Sequence, residues 1–347
     1  MKKVIWKILH PFHHPVTFSK KDIRDILVIR MNRIGDMICT IPLLKTLRKE
    51  FPEARLTVLA EETNVEVIKN ASYIDKLLIY KKGAGIYRNK ILNLKKNFKG
   101  NNFDIAIAVK GGFSSNLATA TFLSGAAYRI GYISDNHHLL DFLYNMPVKK
   151  TPNIQHQVER CLNLLKHIGI TPDRFVKDIS FEIPQKSVNS FKNFLNVNNI
   201  SSTENELIVL NISNDRPNTS WPVENFMELI KRLKAYPIKC IITSAPQDSE
   251  NAKKLANTSS ALFYETPHIM DFAAATERGN LLICHDSGAM HIGASVGTKT
   301  LVLVGRGIIP EIWGPYGSGH KCLIKPKIKD ITVDDVYEEA LKMLNTK

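Results

Sequence analysis

Apolar runs rich in β-branched residues alternate with helical patterns along the whole chain, and this alternation constrains the fold more than any other feature. The predicted strands are 25–31, 54–60, 76–80 and 103–109 in the first half, and 206–212, 239–245, 261–265, 280–286 and 299–305 in the second. The predicted helices are 37–50, 63–70, 86–99 and 333–345. Such alternation is typical of parallel sheets covered by helices on both faces. The sequence therefore predicts an α/β fold with two doubly wound, Rossmann-like domains.

The length of the chain and a polar stretch near 171–205 set the predicted domain boundaries. A chain of 347 residues fits two domains. The predicted segments are a basic amphipathic N-terminal segment at 1–20, a first domain at 21–180, a second domain at 181–330 and a C-terminal helix at 331–347. Ligands of open α/β sheets bind beyond the carboxyl ends of the strands. We therefore expect the two domains to face a central cleft that holds one substrate from each side.

The composition favours a polyanionic partner. The formal net charge is +14, and the basic residues are spread along the chain without a nucleic-acid-binding signature. This charge favours an anionic membrane surface or a phosphorylated glycolipid over nucleic acid. The stretch "MKKVIWKILHPFHH" at 1–14 is either a small interfacial anchor or a terminal helix packed on the protein itself. No apolar run approaches the roughly 20 residues needed to span a bilayer, and the five scattered cysteines predict reduced thiols in the cytoplasm and no metal site.

The stretch "HDSGAMHIGASVG" at 285–297 predicts a strand that turns into a helix at its N-terminus. The first N–H groups of that helix and its dipole would bind phosphate, and Gly288 would let the phosphate approach the backbone. Asp286 could accept hydrogen bonds from sugar hydroxyls. Alternatively, Asp286 and Ser287 only cap the helix. His291 is interpreted as a core histidine or one beside the phosphate.

The stretch "RMNRIGD" at 30–36 has a similar position after the first strand, but it lacks the G-x-G-x-x-G spacing of dinucleotide enzymes. Gly35 leaves room for a substrate, and we expect Asp36 to be exposed in the cleft. A carboxylate there could deprotonate a sugar hydroxyl, which is general-base catalysis. Capping of the following helix explains the same residue equally well.

The two stretches together resemble the glycosyltransferase family 9 heptosyltransferases. The first signature is kept through Gly35, Asp36, Pro42 and Leu43, and "HDSGAMHIGASVG" is similar to the family's D-[ST]-G-x-x-H-x-A-x-x-x-G pattern. Weaker family blocks match at 103–132, at 156–170 and in "GPYG" at 314–317. The resemblance covers nearly the whole chain after residue 24.

This resemblance implies a GT-B fold and an inverting, metal-independent transfer of heptose from ADP-heptose to the inner core of lipopolysaccharide, with no cofactor. The first domain would bind the acceptor and the second the nucleotide sugar. Asp36 would be the general base, and Asp248 would contact the nucleotide ribose. The residues implied on the donor side are Asp286, Ser287, Gly288, Ala289, Met290, His291, Arg216 and Thr219, and those on the acceptor side are Arg33, Gly35 and Lys110. The protein would act in the cytoplasm as a peripheral protein on the inner face of the inner membrane.

Two residues depart from the family pattern. The family usually has K-x-W-P before the first helix of the second domain, and here Thr219 stands at the lysine position before Trp221 and Pro222. Arg216 could supply the missing charge from the same loop. Gly293 replaces the alanine of H-x-A.

Three functions therefore remain open on the sequence. The first is the heptosyltransferase, and the second is a glycosyltransferase of the same fold that uses another sugar nucleotide or another acceptor, such as a capsule glycan. The third is a non-catalytic assembly factor that binds a nucleotide sugar. Retention of Asp36 and Asp286 argues against the third.

Overall fold

The described residues fold into two compact units, the first ending at Ile179 and the second beginning at Ser180. The computed structural model describes residues 19–81, 87–136, 138–200, 206–214, 216, 219–305 and 309–345. The amphipathic segment predicted at 1–20 lies outside the described residues, except for its last two. Among the helices that are described, none has both the length and the apolar character to cross a bilayer.

The first unit is built on a six-stranded sheet in which all strand pairs are parallel. Its strands are β1 (Asp25–Arg30), β2 (Arg55–Glu61), β3 (Lys76–Tyr80), β4 (Ile105–Ala108), β5 (Tyr128–Tyr132) and β6 (Met146–Val148). Its helices are α1 (Ile34–Ile38), α2 (Ile41–Glu50), α3 (Tyr87–Phe98), α4 (Ser115–Leu123) and α5 (Gln157–Asn163), with 3₁₀ turns at Lys20–Asp22, Val65–Ile68, Leu139–Leu143, Leu164–Ile168 and Pro172–Arg174. The strand order is β3-β2-β1-β4-β5-β6. β1 is thus a central strand, as expected from its continuous apolar sequence.

The predicted helix 37–50 is two helices, α1 and α2, with a break at Cys39 and Thr40. Pro42 is the second residue of α2; it has no N–H, and its ring would collide with the carbonyl of residue 38 in a continuous helix. The Thr40 hydroxyl donates to the Asp36 carbonyl at 2.9 Å. The break therefore leaves Asp36 on a short helix of its own.

The helix predicted at 63–70 was wrong, because only the 3₁₀ turn Val65–Ile68 forms there. The Asn64 side chain donates to the carbonyls of Arg30 and Asn32 at 3.1 and 2.8 Å. A side chain that bonds to the backbone in this way competes with helix formation. The turn is consequently tied to the end of β1.

The second unit has a similar six-stranded parallel sheet. Its strands are β7 (Glu206–Asn211), β8 (Ile238–Thr243), β9 (Leu262–Phe263), β10 (Leu281–His285), β11 (Lys299–Val304) and β12 (Lys321–Ile324), in the order β12-β11-β10-β7-β8-β9. Its helices are α6 (Gln185–Val197), α7 (Val223–Leu233), α8 (Ser249–Ser259), α9 (Ile269–Arg278), α10 (Gly288–Ser295), α11 (Pro310–Trp313) and α12 (Val333–Leu344), with 3₁₀ turns at Pro246–Asp248 and Ile328–Asp330. The five strands predicted for this half are all present, and β12 is an addition.

Helices cover both faces of the second sheet. On one face, α7 and α12 pack together over a core that includes Trp221 and Phe226. On the other, α6 packs against α9 through a cluster that includes Phe191 and Tyr264. Helix α6 lies in the stretch that the sequence predicts only as a polar boundary, and it belongs to the second unit. The final helix is close to the predicted range, and it packs on α7 of the same unit.

Each sheet has one point where the order of strands reverses. In the first unit, β1 lies between β2 and β4, and in the second, β7 lies between β8 and β10. The connections that leave the carboxyl ends of these strands turn to opposite faces, which opens a crevice where α/β proteins bind ligands. The carboxyl ends of β1, β4, β7 and β10 are therefore the expected places for functional residues.

Candidate active site

The turn from β10 to α10 gathers most of the predicted donor-side residues. Asp286 directly follows the strand and is buried, and the Ser287 hydroxyl caps α10 by accepting from the Ala289 N–H at 3.3 Å. Gly288 and Ala289 are partly exposed at the first turn of the helix. The positive end of the helix therefore opens beside a carboxylate and a hydroxyl, a set of groups that suits an anionic, hydroxylated ligand.

Arg216, in the connection after β7, contacts this turn. Its Nη1 donates to Asp286 Oδ2 at 2.9 Å, although the two residues are 70 positions apart. The contact joins the two connections that flank the reversal point, because β7 and β10 are neighbours in the sheet. The Arg216 side chain is 37% exposed and that of Asp286 only 9%. The positive charge is thus accessible to solvent at the crevice.

No hydrogen bond between Thr219 and Asp286 is present among the described residues. The hydrogen bonds of Thr219 lie within the loop that carries Arg216. The Thr219 hydroxyl donates to the Arg216 carbonyl at 2.8 Å and accepts from the Asn214 amide at 2.9 Å. The same amide also donates to the Thr219 carbonyl at 2.8 Å. These bonds join Thr219 to the backbone of Arg216 and to the Asn214 side chain, while the Arg216 side chain reaches Asp286.

His285 contacts backbone groups on both sides of the same loop. Its Nε2 accepts from the Trp221 backbone N–H at 2.8 Å, and its Nδ1 faces the Ser213 carbonyl at 3.2 Å. Since Nε2 accepts, Nδ1 carries the proton and the ring is neutral. Burial lowers the pKa of His285 to about 4. This histidine therefore has a positioning role that the sequence did not reveal.

The remaining donor-side residues are more dispersed. Met290 and His291 are buried on α10. Asp248 is partly exposed just before α8, at the carboxyl end of β8, one strand beyond β7. Asp248 and Asp286 thus lie on the two sides of the connection that carries Arg216. Among the residues described, no three His, Cys, Asp or Glu side chains form a group that could hold a metal ion.

The replacement of alanine by Gly293 has a packing reason. A methyl group added at Gly293 would overlap with the Thr300 hydroxyl and come within 2.7 Å of Leu282 Cδ2. The Thr300 hydroxyl is itself buried and donates to the Thr298 carbonyl at 2.9 Å. The glycine therefore lets α10 lie close to β10 and β11.

In the first unit, the structure corrects the expected exposure of Asp36. The Asp36 side chain is only 11% exposed, because its Oδ1 is bound by Nη2 of Arg30, whose side chain is completely buried. Oδ2 accepts from the Arg33 backbone N–H at 3.3 Å, which caps α1. Asp36 thus caps its helix and also keeps one weakly bound oxygen at the carboxyl end of β1.

Two of the predicted acceptor-side residues, Arg33 and Gly35, lie near this carboxylate in the chain, and the third, Lys110, follows the neighbouring strand β4. Arg33 immediately precedes α1, and Gly35 is buried within it. Lys110 follows β4 and lines a cleft of about 170 Å³, together with Asn32, Glu61, Tyr80 and Ser114. This cleft opens at the carboxyl edge of the sheet, beside the reversal point of the first unit.

The sequence reasoning missed Arg30. A signal for it existed, because Arg30 is the one charged residue at the end of the apolar run of β1, where the pattern predicts complete burial. Its Nη1 donates to the Val109 carbonyl and its Nε to the Asp36 carbonyl at 3.1 Å. Arg30 thus connects the ends of β1 and β4.

Comparisons with known proteins show which family the sequence matches. The family model described as glycosyltransferase family 9 (heptosyltransferase) matches residues 91–339, which include Arg216 and Asp286 and begin after Asp36. Lipopolysaccharide heptosyltransferase 3 of Escherichia coli K12 is 25% identical over 286 residues, which are 78% of this chain and 79% of that protein.

Two solved structures have the same fold. A glycosyl transferase family 9 protein from Veillonella parvula superposes with a TM-score of 0.81 at 23% identity, covering 95% of this chain and 99% of that one. The E. coli heptosyltransferase WaaC with ADP-2-deoxy-2-fluoro heptose gives a TM-score of 0.72 at 18% identity, covering 92% and 99%. The fold is therefore the GT-B fold of these enzymes.

Proposed function

Because the chain belongs to glycosyltransferase family 9, the heptosyltransferase family, we propose that it transfers a heptose residue from ADP-heptose to the inner core of lipopolysaccharide or a related glycolipid. The chain is a glycosyltransferase. The proposal concerns its donor, its acceptor and the residues that carry the reaction.

The observation that carries the proposal is the contact between Arg216 and Asp286 at the start of α10. In the proposed complex, the nucleotide diphosphate takes the place of the carboxylate as the partner of Arg216 and also accepts from the first N–H groups of α10. Asp286 then accepts hydrogen bonds from sugar hydroxyls, and Asp248 from the ribose. The guanidinium and the helix N-terminus supply the countercharge of the leaving diphosphate without a metal or cofactor.

Asp36 serves as the general base in this proposal. An acceptor hydroxyl loses its proton to Asp36 while its oxygen attacks the anomeric carbon, and the bond from that carbon to the diphosphate oxygen breaks. The products are the glycosylated acceptor with inverted anomeric configuration and ADP. General-base assistance of this kind contributes on the order of 10²–10⁴ in rate.

The acceptor side of the proposal is a phosphorylated glycolipid in an anionic membrane. Lys110 lines the cleft of the first unit, and Arg33 lies beside Asp36. Leu92, Lys95 and Lys96 are exposed on one side of α3, and Lys99 is exposed in the turn directly after it; these four residues form a basic stripe. We propose that this stripe and the net positive charge hold the protein, as a peripheral protein, on the cytoplasmic face of the inner membrane.

Vesicle sedimentation tests this membrane surface. Replacing Lys95, Lys96 and Lys99 with glutamine should weaken binding to phosphatidylglycerol vesicles roughly 100-fold, since each lysine near an anionic surface contributes about 1 kcal/mol. The matched control replaces three exposed lysines of the second unit, Lys186, Lys192 and Lys239. Equal losses in both triple variants would mean that only net charge matters and would reject the stripe.

A donor panel tests the main proposal. The melting temperature of the protein is measured with ADP-heptose, ADP, UDP-sugars and GDP-sugars, and sugar transfer to a lipopolysaccharide-core acceptor is followed in parallel. A ligand at about 100 times its Kd stabilises its unit by roughly 2.7 kcal/mol, a shift of several degrees. Selective stabilisation by ADP-heptose, with transfer, is the expected result.

A second candidate function is favoured by Thr219. Since Thr219 stands where the resemblance implies a lysine, the phosphate contacts come from a different position, and this change allows another sugar nucleotide or another acceptor glycan. Selective stabilisation by a UDP- or GDP-sugar would support this candidate. Nucleotide binding without transfer to any acceptor would instead support a non-catalytic assembly factor.

A further inference from the structure

We propose that Arg30 is a positioning residue for the reaction: it holds Oδ1 of Asp36 and leaves Oδ2 as the atom that takes the proton from the acceptor. This inference rests on the proposed function, because it assigns a role to a neighbour of the proposed base. It adds a residue that does not itself touch the substrate. It also specifies which oxygen of the carboxylate reacts.

The burial of Arg30 is the first observation. The side chain is completely inaccessible to solvent, at the end of a central strand. A buried guanidinium costs several kcal/mol unless its charge is paired and its N–H groups are bonded. Asp36 is the acidic residue with which it is ion-paired among the described residues. The position of the carboxylate and the burial of the cation therefore depend on each other.

The three hydrogen bonds of Arg30 are the second observation. Nε donates to the Asp36 carbonyl at 3.1 Å, Nη2 to Asp36 Oδ1 and Nη1 to the Val109 carbonyl. Because the guanidinium is planar and rigid, these three acceptors fix both the backbone and the side chain of Asp36 relative to β4. A lysine ammonium has a single nitrogen and cannot occupy all three positions.

The two thiols that interact electrostatically with the pair, Cys39 and Cys161, are uncharged. Burial raises the pKa of the Cys39 thiol well above its usual value and also raises the pKa of the Cys161 thiol. Both thiols interact electrostatically with Arg30 and Asp36, and both stay protonated near neutral pH. No second anion among these neighbours therefore competes with Asp36 for the guanidinium.

The two oxygens of Asp36 are bound unequally, and this difference selects the reacting atom. Oδ1 is bound by the charged guanidinium, whereas Oδ2 accepts, from the residues that the structure describes, a single hydrogen bond from the Arg33 backbone N–H at 3.3 Å, which is long and weak. A proton from the acceptor hydroxyl therefore goes to Oδ2. The Val109 carbonyl adjoins Lys110, so the same guanidinium sets the distance between the base and the acceptor-side loop.

The loop after β4, which contains Lys110, is also in close contact with α5. A methyl group at Gly111 would overlap with Oε1 of the buried Gln157 side chain and lie 3.1 Å from Arg160 Cδ. The connection after β4 thus lies directly against α5. Arg30 and α5 together leave this loop little room to shift away from Asp36.

The decisive variant is Arg30→Lys, which keeps the charge and loses the three-way geometry. We expect kcat to fall about 10- to 100-fold, since a displacement of about 1 Å at a reacting group can cost 10²-fold. The KM for the donor and the melting-temperature shift with the donor should stay at wild-type values, because the donor-side groups lie in the second unit. The matched control is Arg55→Lys, in an exposed pair with Asp25 at the opposite end of the same sheet, and its kcat should not change.

A double variant separates positioning from a merely structural role. If Arg30 acts through Asp36, then Arg30→Lys should not lower further the residual rate of Asp36→Asn, because residues that act as a unit are not additive. A structural role would lower both rates by the same factor.

The outcomes distinguish this inference from the proposed function. A wild-type protein that transfers sugar, with Arg30→Lys within about twofold of its kcat, overturns the role of Arg30 and leaves the function intact. Additive losses in the double variant overturn it as well. A wild-type protein that transfers no sugar from any donor in the panel overturns the proposed function and this inference with it.

Discussion

The two units each bring an arginine and an aspartate together at the reversal point of a parallel sheet, but the two pairs differ in burial. In the first unit, Arg30 is completely buried and belongs to the strand itself. In the second, Arg216 is 37% exposed and belongs to a loop. A buried pair keeps its full mutual attraction, whereas solvent screens a half-exposed one. The first pair is therefore suited to fixing a carboxylate, and the second to exchanging its carboxylate for an anionic ligand.

This difference indicates a division of roles that shared architecture alone would not reveal. Both aspartates follow a central strand, and both adjoin a short helix. The counterion of Asp36 is Arg30, at the end of a strand of the sheet, and it binds Oδ1, so Oδ2 keeps only the weak bond from the Arg33 N–H among the described contacts. The counterion of Asp286 is Arg216, which belongs to a loop and is accessible to solvent at the crevice. The proposed base and the proposed donor site would thus each contain an arginine and an aspartate, with the arginine buried in the first and exposed in the second.

Replacement of Asp36 should give the largest effect, and it should lower the rate of transfer without changing donor binding. Asp36→Asn keeps the size of the side chain but removes the base, so kcat should fall about 10²–10⁴-fold, while the donor should still raise the melting temperature of the protein. Initial rates of sugar transfer and thermal shifts on the same preparation measure both effects. Asp25→Asn, in the exposed pair with Arg55, is the control. A near-normal kcat in Asp36→Asn would mean that the base lies elsewhere.

The stability of the protein, measured as a function of pH, should show that His285, next to Asp286 of the second pair, is neutral in the folded state. The pKa of His285 is lowered from 6.5 to about 4, so below pH 6.5 the unfolded chain binds a proton that the folded protein does not. Its contribution to stability is therefore complete above pH 6.5 and is lost as the pH falls towards 4, by about 3 kcal/mol in total at 1.36 kcal/mol per unit.

Calorimetric unfolding between pH 4 and pH 7.5 measures this loss, and His285→Gln should flatten the part of the slope that His285 contributes. His320 also has a lowered pKa because of burial, so His320→Gln is the companion variant. An unchanged slope in His285→Gln would show that the ring is protonated in the folded protein and would contradict its bond from Trp221.

Substitution of Arg216 tests whether the exposed pair belongs to the donor. Arg216→Gln should weaken donor binding about 10- to 100-fold, since a hydrogen bond to a charged group contributes about 1.5–3 kcal/mol. Calorimetric titration with the nucleotide sugar measures this loss, and added salt should reduce the difference between the two proteins. Arg232→Gln, in an exposed pair with Asp334, should bind normally. If both variants bind equally well, the diphosphate is held by other groups.

The smallest effect is expected at Thr219. Thr219→Val keeps the shape of the side chain but removes the hydroxyl that bonds to Asn214 and Arg216, so donor affinity should fall only severalfold, the effect of about 1 kcal/mol. Thr219→Ser, which keeps the hydroxyl, should restore it. The same titration measures both variants. A loss as large as that of Arg216→Gln would indicate that Thr219 itself contacts the donor.

Much of the fold was predictable because buried parallel strands leave a strong apolar signal. The strands with that signal, such as β1, β7 and β10, were all identified. Three strands were missed: β6 has three residues, one of them Pro147, β5 contains Gly131, packed against the Tyr144 ring, and β12 has four residues, none of them fully buried. Their apolar signal is weaker than that of the buried strands, so the sequence pattern does not mark them as strands.

The candidate site was only partly predictable for a similar reason. Local chemistry pointed to Asp36 and Asp286, because each lies within two residues of a glycine where an apolar strand is followed by a helical pattern. The pairing of Arg216 with Asp286 depends on β7 and β10 being neighbours, and the order of strands in a sheet is not written in any local pattern. The burial of Asp36 likewise depends on Arg30, the last residue of β1, whose side chain binds the Asp36 carboxylate six residues later in the chain.

The bonds of His285 to Ser213 and Trp221 have a consequence for the entropy of donor binding. They fix the backbone at Ser213 and at Trp221, on the two sides of Arg216, so the backbone at these two residues has already given up conformational freedom in the free protein. In the proposed complex, Arg216 exchanges Asp286 for the diphosphate, and the backbone at Ser213 and Trp221 loses little further freedom. The affinity of such a site would be set by this preorganisation more than by the number of contacts that form afterwards.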